Sequence, residues 1–392
     1  MLSGEFHYQR TLCGITAYKY YRTPPRYLGV CPPLPECDVK GHYHEMHEAP
    51  LATEILGFPL HALTDSAAHR SQSNTVTYHV VSCELPFGSI RDTDHGFKLA
   101  SPEFTLFTLS RSLTFNQLVM AMYEMCGRFS LFEPTRRLQR ELEARGTWQN
   151  NDGWSRVSDQ AGRPTDLWTR PPLTTTSDLS AFAESIRGIR GAKLFSRAID
   201  CVSGMVASPL EAQLSMLVWM NPELGGWGYR HIENNYSVAV AKTAKALIDQ
   251  QSVEIDMRVL SPDRTREWMI ECQGKAVHDR IGAGTKDSMR STALQAMGYG
   301  VTMVTSKQIA DPEGFAALLD ILSRELGMQW GEKSNKQLLA ENRLRSEIFC
   351  DWSTLADEPS KQELERRYAE NRAQRASGAF PKRKKRPKGS RA

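Results

Sequence analysis

VEIDMRVLSPDRTREWMIECQ, residues 253–273, decides how this chain is read. Its first seven residues alternate without a break. Val253, Ile255, Met257 and Val259 fall on one side, and Glu254, Asp256 and Arg258 on the other. A period of two is the signature of a half-buried strand. SPDRTR (261–266) is a short hairpin-type connection, and EWMIECQ (267–273) a second, more apolar strand. Working outward, NYSVAVA (235–241) adds a strand before them. SPLEAQLSMLVWM (208–220) adds a helix with Leu210, Leu214, Leu217 and Val218 on one face. After them come a helix over TKDSMRSTALQAMG (285–298), a strand over YGVTMVT (299–305) and a helix over DPEGFAALLDILSRELG (311–327). Asp311 caps that last helix, Pro312 takes its first position and Gly327 closes it. The order is α-β-β-β-α-β-α, an α/β unit.

Two carboxylates within this unit carry chemistry. If the two strands of 253–273 pair antiparallel, Asp256 and Glu271 converge near one edge of the sheet. Mg²⁺ accepts one or two carboxylates plus waters and phosphate oxygens. Held there, it lowers the pKa of a bound water and neutralises charge developing on a phosphate. Glu211, at the start of a helix, is a third carboxylate within reach. It is also the fourth residue of Ser208-Pro209-Leu210-Glu211, which reads as a capping box. Asp256 reads equally as a solvated strand residue. Glu271 sits in an apolar strand, where a carboxylate needs a partner. His278 and Asp279 either line the site or are loop polars.

Asp256, then fourteen intervening residues, then Glu271-Cys272-Gln273-Gly274-Lys275, resembles the Asp…Glu-x-Lys signature of the PD-(D/E)XK nuclease superfamily. The next stretch, with Asp287, Arg290, Leu294, Gly298 and Tyr299, is similar to the very-short-patch-repair-like endonuclease branch. Ser208-Pro209-Leu210-Glu211 resembles that family's Ser-x-x-Glu helix. The likeness spans about 120 residues, from roughly 208 to 327. It implies a restriction-endonuclease-like α-β-β-β-α-β core and cleavage of DNA phosphodiester bonds with Mg²⁺ (or Mn²⁺), in defence or repair. By resemblance, Asp256 and Glu271 are metal ligands and Glu211 supports the metal or its water. Arg290 is structural or phosphate-facing. The sequence departs from the pattern at Gln273, where the family has Lys or a second acid. Gln orients a water but supplies no positive charge, so Lys275 is the candidate for that role. The departure also opens a second reading: a nuclease fold that binds DNA without cutting, as a regulator or antitoxin-like partner. The front half, with SPEFTLFTL and YEMCGRF, loosely resembles bacterial proteins that join such a domain to an abortive-infection antitoxin-like region.

The rest of the chain bounds these expectations. It has 392 residues, 40% hydrophobic and 24% charged, which excludes a mostly disordered, collagen-like or coiled-coil protein. No apolar run approaches the roughly 18–20 residues that span a bilayer, and MLSGEFHYQR has no apolar leader, so a cytoplasmic protein is expected. The last twelve residues, PKRKKRPKGSRA, carry seven Lys/Arg; taking these from the total of 49 leaves 42 against 45 acids. The positive excess therefore lies in a tail, and Lys382, Arg383, Lys384, Lys385 and Arg386 are candidate DNA phosphate contacts. Cys31, Cys37, His42, His44 and His47 cluster in sequence, but their spacing fits no common zinc finger, and a His-rich loop is the simpler reading. The expected organisation is an α+β module over 1–133, a polar linker over 134–176, the endonuclease-like domain over 177–330, charged helices over 331–380 and a disordered basic tail over 381–392. Within 1–133, residues 1–55 show little periodicity. A strand is expected at TVTYHVVSC (75–83) and helices at SPEFTLFTLSRSL (101–113) and FNQLVMAMYEMCG (115–127). DLSAFAESIRGIRG (178–191) is expected to open the second domain as a helix.

Overall fold

A computed structural model describes residues 10–35, 43–65, 73–81, 83–146, 151–159, 161–241, 244–245, 247–248, 250–273 and 283–357. The chain is α/β. It runs through β1 (Thr11–Leu12), α1 (Gly14–Arg22), α2 (Pro25–Leu28), α3 (Tyr43–Glu48), a π-helical turn (Leu51–Leu56), β2 (Leu60–Thr64), β3 (Val76–Val80), β4 (Ile90–Asp92) and β5 (Lys98–Ala100). Then come α4 (Pro102–Leu109), α5 (Phe115–Cys126), β6 (Phe129–Leu131), α6 (Arg136–Arg145), β7 (Ser155–Ser158) and β8 (Pro164–Thr169). The last part holds α7 (Thr176–Ser185), α8 (Ala192–Ile199), α9 (Pro209–Trp219), β9 (Ile232–Ala239), β10 (Ser252–Leu260), β11 (Glu267–Gln273), α10 (Ala283–Ala296), β12 (Gly300–Thr305), α11 (Ser306–Ala310), α12 (Pro312–Leu326), α13 (Asn335–Ile348) and a 3-10 turn (Trp352–Ala356). No helix among the described residues is long and apolar enough to cross a membrane.

The strands form three sheets, in the orders β3-β2-β1-β5-β4, β6-β8-β7 and β12-β11-β10-β9. The last contains the sequence read first. β9, β10 and β11 pair antiparallel in succession, and β12 joins β11 in parallel after the α10 crossover. Val253, Ile255, Met257 and Val259 are buried while Glu254 is exposed, as the alternation requires. Ala293 and Leu294 of α10 bury with Val253, Ile255 and Met269. α9 packs against β10 and β11, which sets Glu211 over the sheet.

Three segments differ from expectation. Residues 1–55 are not featureless: β1 is the middle strand of the five-stranded sheet, flanked by β2 and β5. A two-residue strand is too short to show a period. Residues 134–176 hold α6 and a hairpin whose β8 pairs with β6. Their packing hangs on Trp168, which is fully buried, stacked under Arg26 at 4.5 Å and edge-on to Tyr27 at 6.0 Å. One large residue makes that core, so no stripe appears in the sequence. The described residues up to Ala356 form one compact unit.

The third difference is α13, part of the stretch expected as charged helices beyond the endonuclease-like domain. Leu344 and Ile348 are fully buried. The helix's charges are satisfied internally: Arg345 pairs with Glu341 at 2.8 Å and donates to the Ile309 carbonyl at 2.7 Å, and Lys333 reaches Glu341 at 2.6 Å. Beyond it, the carbonyls of Trp352 and Ser353 each accept from Arg22 at 2.8 Å. Arg22 is itself buried against Glu124 at 2.6 Å, which also accepts from the Tyr18 hydroxyl at 2.6 Å. The charged stretch over 360–374 and the basic residues Lys382–Arg386 lie outside the described residues.

Candidate functional site

α9 begins where Ser208 turns the chain: its hydroxyl accepts the Glu211 N–H at 3.3 Å, and Pro209 fills the first turn. Only half of the expected capping box forms. The Glu211 carboxylate passes its cap and accepts the Ala207 N–H at 2.7 Å and the Asn235 side-chain amide at 3.3 Å. Glu211 is buried, and burial pushes its pKa up to about 8, with the negative charge of Asp256 as the second cause. Those two acids therefore lie near enough for their charges to oppose one another.

Asp256 projects from β10 toward β11. The paired positions end at Met257↔Ile270; one step beyond, the Cys272 N–H donates to Asp256 Oδ2 at 2.6 Å. Burial raises the Cys272 thiol well above its usual value, and the charges of Asp256, Glu211 and Glu271 add to it in that order. The charges of the three acids named from the sequence thus all reach one half-buried thiol. Glu271 is held by Arg290 of α10, whose guanidinium stands 3.3 Å from Oε1 and also donates to the Glu254 carbonyl at 2.5 Å.

Gln273 does not join them. Its amide donates to Met303 Sδ of β12 at 3.3 Å. Lys275, His278 and Asp279 lie outside the described residues, and the side chain of Asp287 is likewise not described. Among the described residues no group of three or more His, Cys, Asp or Glu is arranged to hold a metal ion. The donor chemistry of Glu211 and Asp256 nevertheless fits a hard divalent cation. Two neighbouring carboxylates, one kept protonated by burial and repulsion, gain from a positive charge, and Mg²⁺ completes its shell with water.

No family model, curated protein or solved structure matches this chain.

The described members of the N-terminal cysteine and histidine cluster make separate contacts. Cys31 is buried and donates to the Tyr27 carbonyl at 3.4 Å, and burial raises its thiol to about 11. His47 stacks on Phe58 at 4.1 Å, and His44 is exposed beside Glu48 at 3.5 Å. Cys37 and His42 lie outside the described residues.

Sequence reading missed two residues around the acids. Arg128 pairs with Glu254 at 2.8 Å and donates to Asn235 at 2.8 Å. Arg128 lies 107 positions before Asn235, so spacing carries no hint of the contact. Asn235 offers a faint local signal, because Asn is enriched among residues with positive φ and this one has φ +48°.

Proposed function

We propose that this chain is a metal-dependent endonuclease that cleaves DNA phosphodiester bonds in the cytoplasm, in defence or repair, on a restriction-endonuclease-like core. The observation that carries the reading is the buried Glu211 opposed by the charge of Asp256, at the point where α9 meets the β10–β11 pair. The α-β-β-β-α-β order of α9 through β12, with the sheet order β12-β11-β10-β9, supports it.

On this reading Glu211 and Asp256 would hold Mg²⁺ or Mn²⁺, with Glu271 beside them. The bound cation would supply an activated water and charge neutralisation at the phosphate. The chain's own residues do the rest. The Cys272 N–H fixes Asp256, and the Ala207 N–H with the Asn235 amide fixes Glu211. Arg290 is occupied in holding Glu271 and the Glu254 carbonyl, which favours its structural role. Gln273 is turned to Met303, so positioning of the water or phosphate falls to Lys275. The basic residues Lys382–Arg386 would add backbone contacts without sequence preference.

Plasmid nicking with Mg²⁺ or Mn²⁺ tests the reading, with Glu271→Ala and Asp256→Asn as comparisons. Wild type should nick, and both variants should lose activity. Equal activity in all three removes these acids from the mechanism. The orientation of Gln273 favours a second reading, a nuclease-fold DNA-binding regulator or antitoxin-like protein that does not cut. Such a binder keeps its DNA affinity in EDTA, weakens steeply with salt and cleaves under no divalent ion.

A further inference from the structure

Arg128 belongs to the first part of the chain, between α5 and β6, yet its side chain ends against β9 and β10. It grips Glu254 with both arms, Nη1 to Oε1 at 3.1 Å and Nη2 to Oε2 at 2.8 Å. Nη2 also donates to Asn235 Oδ1 at 2.8 Å. A guanidinium only donates, and the Met205 carbonyl at the other end of the Asn235 amide, 3.0 Å away, only accepts. The amide can therefore face one way: oxygen to Arg128, nitrogen to Met205 and to Glu211 Oε2 at 3.3 Å.

The backbone is bent to allow this. Asn235 holds φ +48° inside β9, and the β9–β10 pairing runs through Ile255↔Tyr236 and Met257↔Asn234 without the Asp256 position between them. A residue held in that region has its conformation over-determined by its surroundings, and such points gather at functional sites. The approach of Arg128 is also built in. Its N–H donates to the Val206 carbonyl at 2.8 Å, next to Ala207. A Cβ on the preceding residue, Gly127, would stand 2.6 Å from the Tyr123 carbonyl oxygen and 2.7 Å from that of Val206. Only glycine lets the two segments meet here.

We infer that Arg128 and Asn235 are positioning residues through which the N-terminal module regulates the acid site. They set the Asn235 amide that holds Glu211, so the placement of the segment after α5 is felt at that carboxylate. The inference rests on the metal-dependent reading above and deepens it.

The test uses the full chain with Arg128→Gln and Arg128→Lys. Lysine keeps a charge for Glu254 but has no fork to serve Asn235 as well. Both variants should raise the Mn²⁺ concentration for half-maximal plasmid nicking by about ten- to a hundredfold, with the KM for DNA unchanged. Melting temperature should fall in Arg128→Gln and largely recover in Arg128→Lys. A merely structural role predicts that the lysine recovers the Mn²⁺ requirement too, and that result, or an unchanged requirement in both variants, overturns the inference. A metal-free readout is hydrogen exchange at the Ala207 amide in EDTA, which Glu211 protects. It should quicken about tenfold in both variants, the loss of about one hydrogen bond. Unchanged Ala207 exchange overturns the inference whether or not the wild type cuts DNA. Faster exchange in both variants, with no nicking by wild type, removes the nuclease reading and leaves the positioning role in place.

Discussion

Replacing Glu211 by Gln should make the protein more stable at alkaline pH, although it removes a side chain with two hydrogen bonds. The unfolded chain releases the Glu211 proton near 4.5, and the folded chain near 8, because burial and then the charge of Asp256 oppose ionisation. Between those values the native state holds a proton that the unfolded state has lost, so stability falls as pH rises. The contribution is complete below the unfolded value and gone above the folded one. At about 1.36 kcal/mol for each pKa unit, a gap from 4.5 to about 8 costs about 5 kcal/mol in full, of which the part between pH 5 and pH 9 is about 4 kcal/mol. Glutamine stays neutral throughout and still accepts the Ala207 N–H. Urea unfolding of both proteins in EDTA, from about pH 5 to about pH 9, isolates the term as a difference between two curves. The gap between variant and wild type should swing by that amount in favour of Glu211→Gln. Parallel curves would show that Glu211 ionises freely, and the opposed-carboxylate argument would fall with it.

Other outcomes follow from the same structure. Mn²⁺ should stabilise wild type against urea more at pH 8 than at pH 6, by up to about 2.7 kcal/mol at a hundredfold excess over Kd, and should do nothing for Glu211→Gln; a stabilisation that ignores pH refutes proton displacement. Gly300→Ala should destabilise by about 1–3 kcal/mol in urea, since its Cβ would lie 2.0 Å from the Trp268 ring across the β11–β12 pair. Glu124→Gln should cost about 3–5 kcal/mol, because Arg22 is left as a buried charge without its carboxylate; a change under about 1 kcal/mol in the same assay contradicts the buried-pair account.

The sheet was legible because its strands obey one rule over enough residues. Seven alternating positions in β10 leave little choice, and the apolar run of β11 with its flanking helices orders the rest. β1 and the β7–β8 hairpin obey the same physics but offer two residues or a single Trp168, too little for a period to emerge. α8 was missed because Gly188 and Gly191 interrupt the apolar stripe that α7 begins, and the helix restarts after Gly191 at φ +104°. In α13 Glu341 and Arg345 share the buried face with Leu344 and Ile348, so polarity concealed burial. At the candidate site, Glu211, Asp256 and Glu271 were named from residue type, spacing and resemblance, and the structure brings their charges to bear on Cys272. The direction of Gln273 and the arrival of Arg128 were not, because each depends on a segment far along the chain.

The Arg22 guanidinium binds Glu124 on one side and, on the other, carbonyls some 330 residues downstream. During synthesis α1 and α5 are made long before the chain can present Trp352 and Ser353. Until those carbonyls arrive, a cation at the heart of the early-made portion has only part of its shell. Folding of the front half is therefore finished by the back, and a fragment ended near residue 330, where a linear reading draws its boundary, would leave that cation wanting and expose the hollow Trp352 fills.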